Sequence, residues 1–248
     1  SDEVVAFQDM MPTFAELAWN AGEPPVSEIW RTQLSLLAAD TIMYAAVTAL
    51  GLKADRVAGH SFGELVALHA AGSWDFESAV RATCARCAAI DGCRNANGAL
   101  RSTSAPSEVL HRLCENHPGR VFVSHYNAPD QTVAGGEEAA IKSLAKSVDA
   151  EGHKALVLDV PAAFHTELME EVKEPFRLGL ASLTIEPPRI PVLSSVTNRY
   201  VAEPAEIRDN LVVQMTQPVY YADLVQRLAD EGTSVFVEVG PRQVLTGL

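Results

Sequence analysis

Apolar residues crowd positions 34–50 with no proline or glycine among them, and this pattern predicts a buried helix. Gly51 stands where a C-capping glycine would close it. The short apolar run 56–59 predicts a strand. A second helix is predicted over 62–71, stopped by Gly72. A third runs over 76–90, with Asp75 placed as its N-cap.

From position 95 the texture changes to shorter, more polar segments. A strand is predicted to start at 98–100, an amphipathic helix to span 107–116, and strands to lie at 121–124 and 131–134 around the turn cluster Asn127-Ala128-Pro129-Asp130. A helix over 137–151 and a strand over 155–160 follow. The order β-α-β-β-α-β is that of a ferredoxin-like unit. After residue 162 come a helix (166–182), a strand (190–195), a helix (221–231) and a strand (235–239). Such alternation predicts a mostly parallel sheet covered by helices. The expected fold is α/β, with one domain built from residues 1–97 and 161–248 and a small ferredoxin-like subdomain over 98–160.

Composition narrows the function. The chain has 248 residues, 48% of them hydrophobic and 21% charged, so it can build a substantial core. A net charge of −13 argues against nucleic acid and against anionic membranes as partners. No apolar run reaches the roughly 18 residues of a membrane span, and Ser1-Asp2-Glu3 is acidic where a secretory signal would be basic. Four cysteines do not make a disulfide framework, which points to a cytoplasmic location. Cys84-Ala85-Arg86-Cys87 lies mid-helix without a second ligand pair, so no metal is expected. Val244-Leu245-Thr246-Gly247-Leu248 reads as an element cut short, so the chain is expected to be part of something longer.

Gly59-His60-Ser61-Phe62-Gly63 matches G-x-S-x-G between a predicted strand and a predicted helix. That setting pushes the Ser61 hydroxyl out of a tight turn. It also aims the Phe62 N–H, at the helix N-terminus, toward a reacting carbonyl oxygen. A serine needs a base. His60 is too close in sequence to serve. His69, His111, His117, His125 and His153 carry no accompanying pattern and are read as surface or core residues. His165, just past a strand and just before a helix, is the candidate.

These residues resemble the malonyl-CoA:acyl-carrier-protein transacylase family, which includes the acyltransferase domains of polyketide and fatty acid synthases. Gly59-His60-Ser61-Phe62-Gly63-Glu64 is similar to its G-H-S-x-G-E motif. Ala162-Ala163-Phe164-His165 takes the place of its H-A-F-H. Thr32-Gln33 resembles the T-Q-P segment, Tyr126-Asn127-Ala128-Pro129 the N-x-P turn, and Val237-Glu238-Val239-Gly240-Pro241 the C-terminal E-V-G-P. The resemblance implies a hydrolase-like α/β domain with an inserted ferredoxin-like domain. It also implies malonyl transfer from malonyl-CoA, through a Ser61 ester, to the phosphopantetheine thiol of an acyl carrier protein. No bound cofactor is implied, and membership of a larger multidomain synthase is, with a lean toward the iterative polyketide type.

Arg86 then falls where the family places its carboxylate-binding arginine, and Phe164 at the position that goes with malonyl. Gln33 and Gln214 join the substrate-side set, Gln214 at the place whose main-chain carbonyl orients the histidine. Two departures stand out. Ala162 replaces the first histidine of H-A-F-H. The family's G-Q-G-x-Q segment, whose glutamine neighbours the oxyanion hole, is absent from the sequence, so only Phe62 is named as an oxyanion donor. A serine esterase or thioesterase, and a non-catalytic docking domain of a synthase, are the rival readings.

Overall fold

Helical periodicity decides which side of each helix faces inward, and so which polar residues are carried into the core. In α3 (Phe76–Asp91) the buried positions are Phe76, Ala79, Ala82, Thr83, Arg86, Cys87, Ala89 and Ile90. They recur every three or four residues, so Arg86 lies on the inward stripe with the apolar side chains. Asp75 caps the helix, accepting from the Ser78 N–H at 2.8 Å. The computed structural model describes residues 27–93, 98–160 and 162–248.

The helix predicted over 34–50 begins earlier, as α1 (Glu28–Ala49). Strand β1 (Val57–Ala58) leads through a tight turn into α2 (Gly63–Ala70). Six consecutive residues of α2, Glu64 to His69, are buried. A helix covered all round belongs at the centre of the molecule. Beyond the small subdomain, a 3₁₀ turn (Glu167–Val172) runs into α6 (Lys173–Leu180). One helix was expected over 166–182. Pro175 explains the division: without an N–H it fits the first turn of a helix and not its interior. Then come β6 (Val192–Leu193), β7 (Tyr200–Val201), α7 (Pro204–Val213) and α8 (Tyr221–Asp230). Strand β6 pairs with β1 in parallel and with β7 antiparallel. Phe76, Leu65, Leu68, Phe176, Leu180, Ile207 and Leu211 pack into the principal core. Each such side chain contributes about 1.5–3 kcal/mol on full burial.

Strand β7 and helix α7 were not expected from the pattern. The strand predicted over 235–239 does not form. No described segment pairs with it, and Val235, Phe236 and Val237 are exposed. An apolar run becomes a strand only where its N–H and C=O groups find a ladder.

A second sheet contains β2 (Ala99–Thr103), β3 (Val121–Ala128), β4 (Gln131–Gly136) and β5 (Ala155–Leu158), in the order β3-β4-β2-β5 with every pairing antiparallel. Helices α4 (Ser107–Glu115) and α5 (Glu138–Ala150) supply Leu110, Ile141, Leu144 and Val148 to its core. This is the strand order of the ferredoxin-like arrangement. Strand β3 runs on through Asn127 and Ala128, which were expected in the turn. Bulges interrupt its pairing with β4 between Val123 and His125 and again between Tyr126 and Ala128. Past the first bulge, β3 bonds to the other half of the molecule: Val219 N–H donates to Ser124 O (3.0 Å), and Tyr126 N–H donates to Val219 O (2.8 Å).

Candidate active site

The turn between β1 and α2 leaves no room for a side chain at its first glycine. A Cβ on Gly59 would lie 2.0 Å from the main-chain carbon of Gly63. Ser61 takes the left-handed conformation, with φ +52°, a strained value for a residue with a Cβ. Glu64, in the first turn of α2, fixes the turn to the segment after β6. Its buried carboxyl accepts from the Ser195 N–H, from Ser195 Oγ (2.8 Å) and from Asn210 Nδ2 (2.9 Å). Burial pushes this carboxyl up, against the pull of those donors.

Ser61 and His165, 104 positions apart, meet here: Ser61 Oγ and His165 Nε2 are 2.6 Å apart. His165 also has a positive φ, +60°, and is buried. Its Nδ1 faces two main-chain carbonyls, Gln214 O at 2.8 Å and Gln217 O at 3.1 Å. Carbonyl oxygens only accept, so Nδ1 carries the proton and Nε2 is free to accept from the Ser61 hydroxyl. Among the described residues, the hydrogen-bond partners of Nδ1 are these two carbonyls. Burial, then the positive charge of Arg86, lowers the His165 pKa to about 3, against the carbonyl bonds, which raise it. The Gln214 side chain reaches the other member of the pair, its amide donating to Ser61 O at 3.2 Å.

Arg86 is 2% exposed, and among the described residues its Nε and Nη1 have no hydrogen-bond partner. Its guanidinium lies 5.8 Å from the Phe62 ring and 5.9 Å from the Phe164 ring. Phe62 follows Ser61 and Phe164 precedes His165, so the cation is bracketed by the neighbours of both. Burial lowers its pKa to about 10, which leaves it charged at neutral pH. Gln33 is buried on the same side, its Oε1 3.5 Å from Cys87 Sγ.

Two further histidines belong to the site. His125, read from sequence as a surface or core residue without a role, is buried with its ring centroid 4.9 Å from that of His165 and nearly perpendicular to it. His60 stacks on His125 at 5.4 Å. Its Nε2 donates at 2.8 Å to Asn127 Oδ1, since the Asn127 amide nitrogen is spent on Gln131 Oε1. Reading β3 as ending at 124 hid His125. The bulges that re-aim the end of this strand have no plain sequence signature.

A serine held in a strained strand-to-helix turn thus lies within hydrogen-bond reach of a histidine held by carbonyls, on an α/β scaffold. Comparison with known proteins makes this specific. Residues 4–247 match the model of the acyl transferase domain, and the chain belongs to that family. The malonyl CoA-acyl carrier protein transacylase of Haemophilus influenzae is 33% identical over 230 residues, 90% of this chain and 74% of that protein. A PKS-NRPS hybrid synthetase of Aspergillus candidus is 32% identical over 219 residues, 87% of this chain but 9% of that protein. The solved structure of the malonyl CoA-acyl carrier protein transacylase of Coxiella burnetii superposes with a TM-score of 0.85 at 27% identity, covering 100% of this chain and 84% of that one. The family resemblance and the α/β class expected from the motifs are borne out. Among the described residues, no helix is long and apolar enough to cross a membrane.

Proposed function

We propose that the protein transfers a malonyl group from malonyl-CoA to the phosphopantetheine thiol of an acyl carrier protein, by way of an ester on Ser61. Ser61 Oγ attacks the thioester carbonyl as His165 Nε2 takes its proton. The carbonyl oxygen, now negative, faces the Phe62 N–H at the start of α2. The intermediate collapses to the Ser61 ester, and coenzyme A leaves with the proton from His165. The carrier thiol then gives its proton to His165 and attacks the ester, and Ser61 is restored.

The observation that carries this reading is the buried Arg86, with two unpartnered nitrogens between the residues that flank the nucleophile and the base. A guanidinium presents a fork that matches a carboxylate. The free carboxylate of a malonyl group would fill it, whereas an acetyl group would leave the charge buried and unpaired. Phe164, against the same guanidinium, would wall the acyl α-carbon, where a methyl branch would overpack the site at about 1–3 kcal/mol. Gln33 and Gln214 close the substrate side. Support for a carrier-protein acceptor comes from the name of one relative and for residence in a larger synthase from the length of another; a cytoplasmic setting rests on the four cysteines, all free in the structure.

The test is competition among malonyl-, methylmalonyl- and acetyl-CoA, read as mass added to the Ser61 peptide. Malonyl should dominate, by about tenfold or more over methylmalonyl, since 1.4 kcal/mol is a factor of ten. Phe164→Ser should relax the methyl discrimination and leave the preference for a carboxylate. Equal loading of all three by the wild type, or hydrolysis with no ester captured by carrier thiol, would overturn the reading.

A further inference from the structure

We propose that His125 is a positioning residue for the base: its ring holds the His165 imidazole in the orientation from which Nε2 reaches Ser61. The inference rests on the acyl-transfer reading above. Among the described residues, no carboxylate holds the His165 ring, as one does in many serine sites. Its Nδ1 proton is shared between two carbonyls at 2.8 and 3.1 Å, so the ring could swing between them. The His125 ring stands across that motion, 4.9 Å away with the planes at 75°.

His125 is itself immobilised. Ser124 Oγ donates to Val133 O at 3.1 Å, so the same oxygen accepts from His125 Nδ1–H at 2.9 Å. The His60 ring stacks on the His125 ring, parallel within 5°. His60 is held in turn by Asn127 Oδ1 and by the edge of Tyr221 at 5.3 Å. The main chain repeats the arrangement. Ser124 and Tyr126 bond to Val219, two residues from the Gln217 carbonyl that holds His165. Ring and carbonyl are therefore placed by one junction between the two halves of the molecule. Burial first, then the neighbouring His165 and His60, favours neutral His125. A neutral ring does not oppose the positive charge His165 takes on when it accepts the serine proton.

The experiment compares wild type with His125→Ala, His125→Phe and His125→Asn, after checking that each folds by its thermal transition. Single-turnover acylation of Ser61 is followed across malonyl-CoA concentrations. A fluorophosphonate, which labels an activated serine without using Arg86, is run in parallel. In His125→Ala the maximal acylation rate should fall by up to about a hundredfold, the scale on which a displaced catalytic group loses rate. The half-saturating malonyl-CoA concentration should stay within about twofold, as expected when ground-state binding is untouched. His125→Phe, which restores a ring but no titratable nitrogen, should recover most of that loss with both reagents. If the Ala protein does not fold, His125→Asn takes its place in the comparison with Phe. An Ala or Asn rate equal to wild type, a loss confined to half-saturation, or equal losses in Phe and Ala would overturn the proposal. If the wild type reacts with the phosphonate but not with malonyl-CoA, the malonyl reading falls, and the phosphonate series alone decides whether His125 positions the base.

Discussion

The side-chain amide of Gln214 donates to the main-chain oxygen of Ser61 at 3.2 Å, while its own main-chain oxygen, 2.8 Å from His165 Nδ1, holds the base. One residue thereby touches both reacting partners. Gln214→Ala keeps the carbonyl and loses the amide. The strained Ser61 backbone should then relax at a cost of about 1 kcal/mol, one hydrogen bond's worth. Acylation of Ser61 should slow by about fivefold, since 1.4 kcal/mol is a factor of ten. Rates by mass spectrometry and urea midpoints check both numbers, and an unchanged acylation rate would show that the amide does not set the serine.

The pH response should separate catalysis from stability. With a pKa of about 3, His165 stays unprotonated well below neutrality. A base at the ordinary histidine value would lose roughly twentyfold in its neutral fraction between pH 7 and 5. Ser61 acylation should show no such fall. Stability does respond. The folded pKa is depressed, so below about 6.5 the unfolded chain binds a proton that the folded one refuses. The stabilising contribution is complete above that pH and is lost progressively toward pH 3. His60 and His125, also lowered by burial, act in the same direction. Urea midpoints at pH 7 and 5 should show this loss, and His165→Gln should show less of it.

Arg86 opposes stability in the free protein. A buried guanidinium with unpartnered nitrogens is poorly compensated, and apolar replacements of buried charges are often neutral or stabilising by about 1–4 kcal/mol. Arg86→Met should therefore raise the thermal midpoint while malonyl loading falls steeply and the gap to acetyl closes. A lowered midpoint would mean that the cation is satisfied in the free protein.

Gly59→Ala should not be tolerated. The added carbon would sit 2.0 Å from Gly63 C and 2.3 Å from Glu64 N, all main chain and unable to move aside cheaply. The loss should exceed the roughly 1–3 kcal/mol of ordinary overpacking, and calorimetry would show it. Gly63, where a Cβ would meet nothing within 4 Å, is the matched control for space alone.

Legibility in the sequence followed how local each feature is. Helix α3 and its Asp75 cap follow from spacing within one element, whereas Arg86 was expected from the family resemblance and only the structure shows it on the inward stripe. The Ser61 turn is local too, and the α-β order announced the small sheet before its strand pairing was known. Helix α7 escaped notice because Pro204, Glu206, Arg208, Asp209 and Asn210 make its first two turns mostly polar on all sides, which reads as loop. The strand at 235–239 was expected on apolar content, although pairing decides a strand. His125 was passed over because what sets it apart is a ring contact with a residue 40 positions away, just past a bulge in β3. No pattern within one strand records such a contact.

The junction at Val219 ties the shape of the molecule to its reactivity. Prising the two sheets apart at this point would break the bonds from Ser124 and Tyr126. The same movement would drag on the segment that carries Gln217 and withdraw the His125 ring. Separating the sheets here would therefore move the carbonyl that faces His165 and the ring beside it together. On the proposed reading a partly opened molecule would hold Ser61 without its base, so labelling of Ser61 would report whether the two sheets are seated on each other.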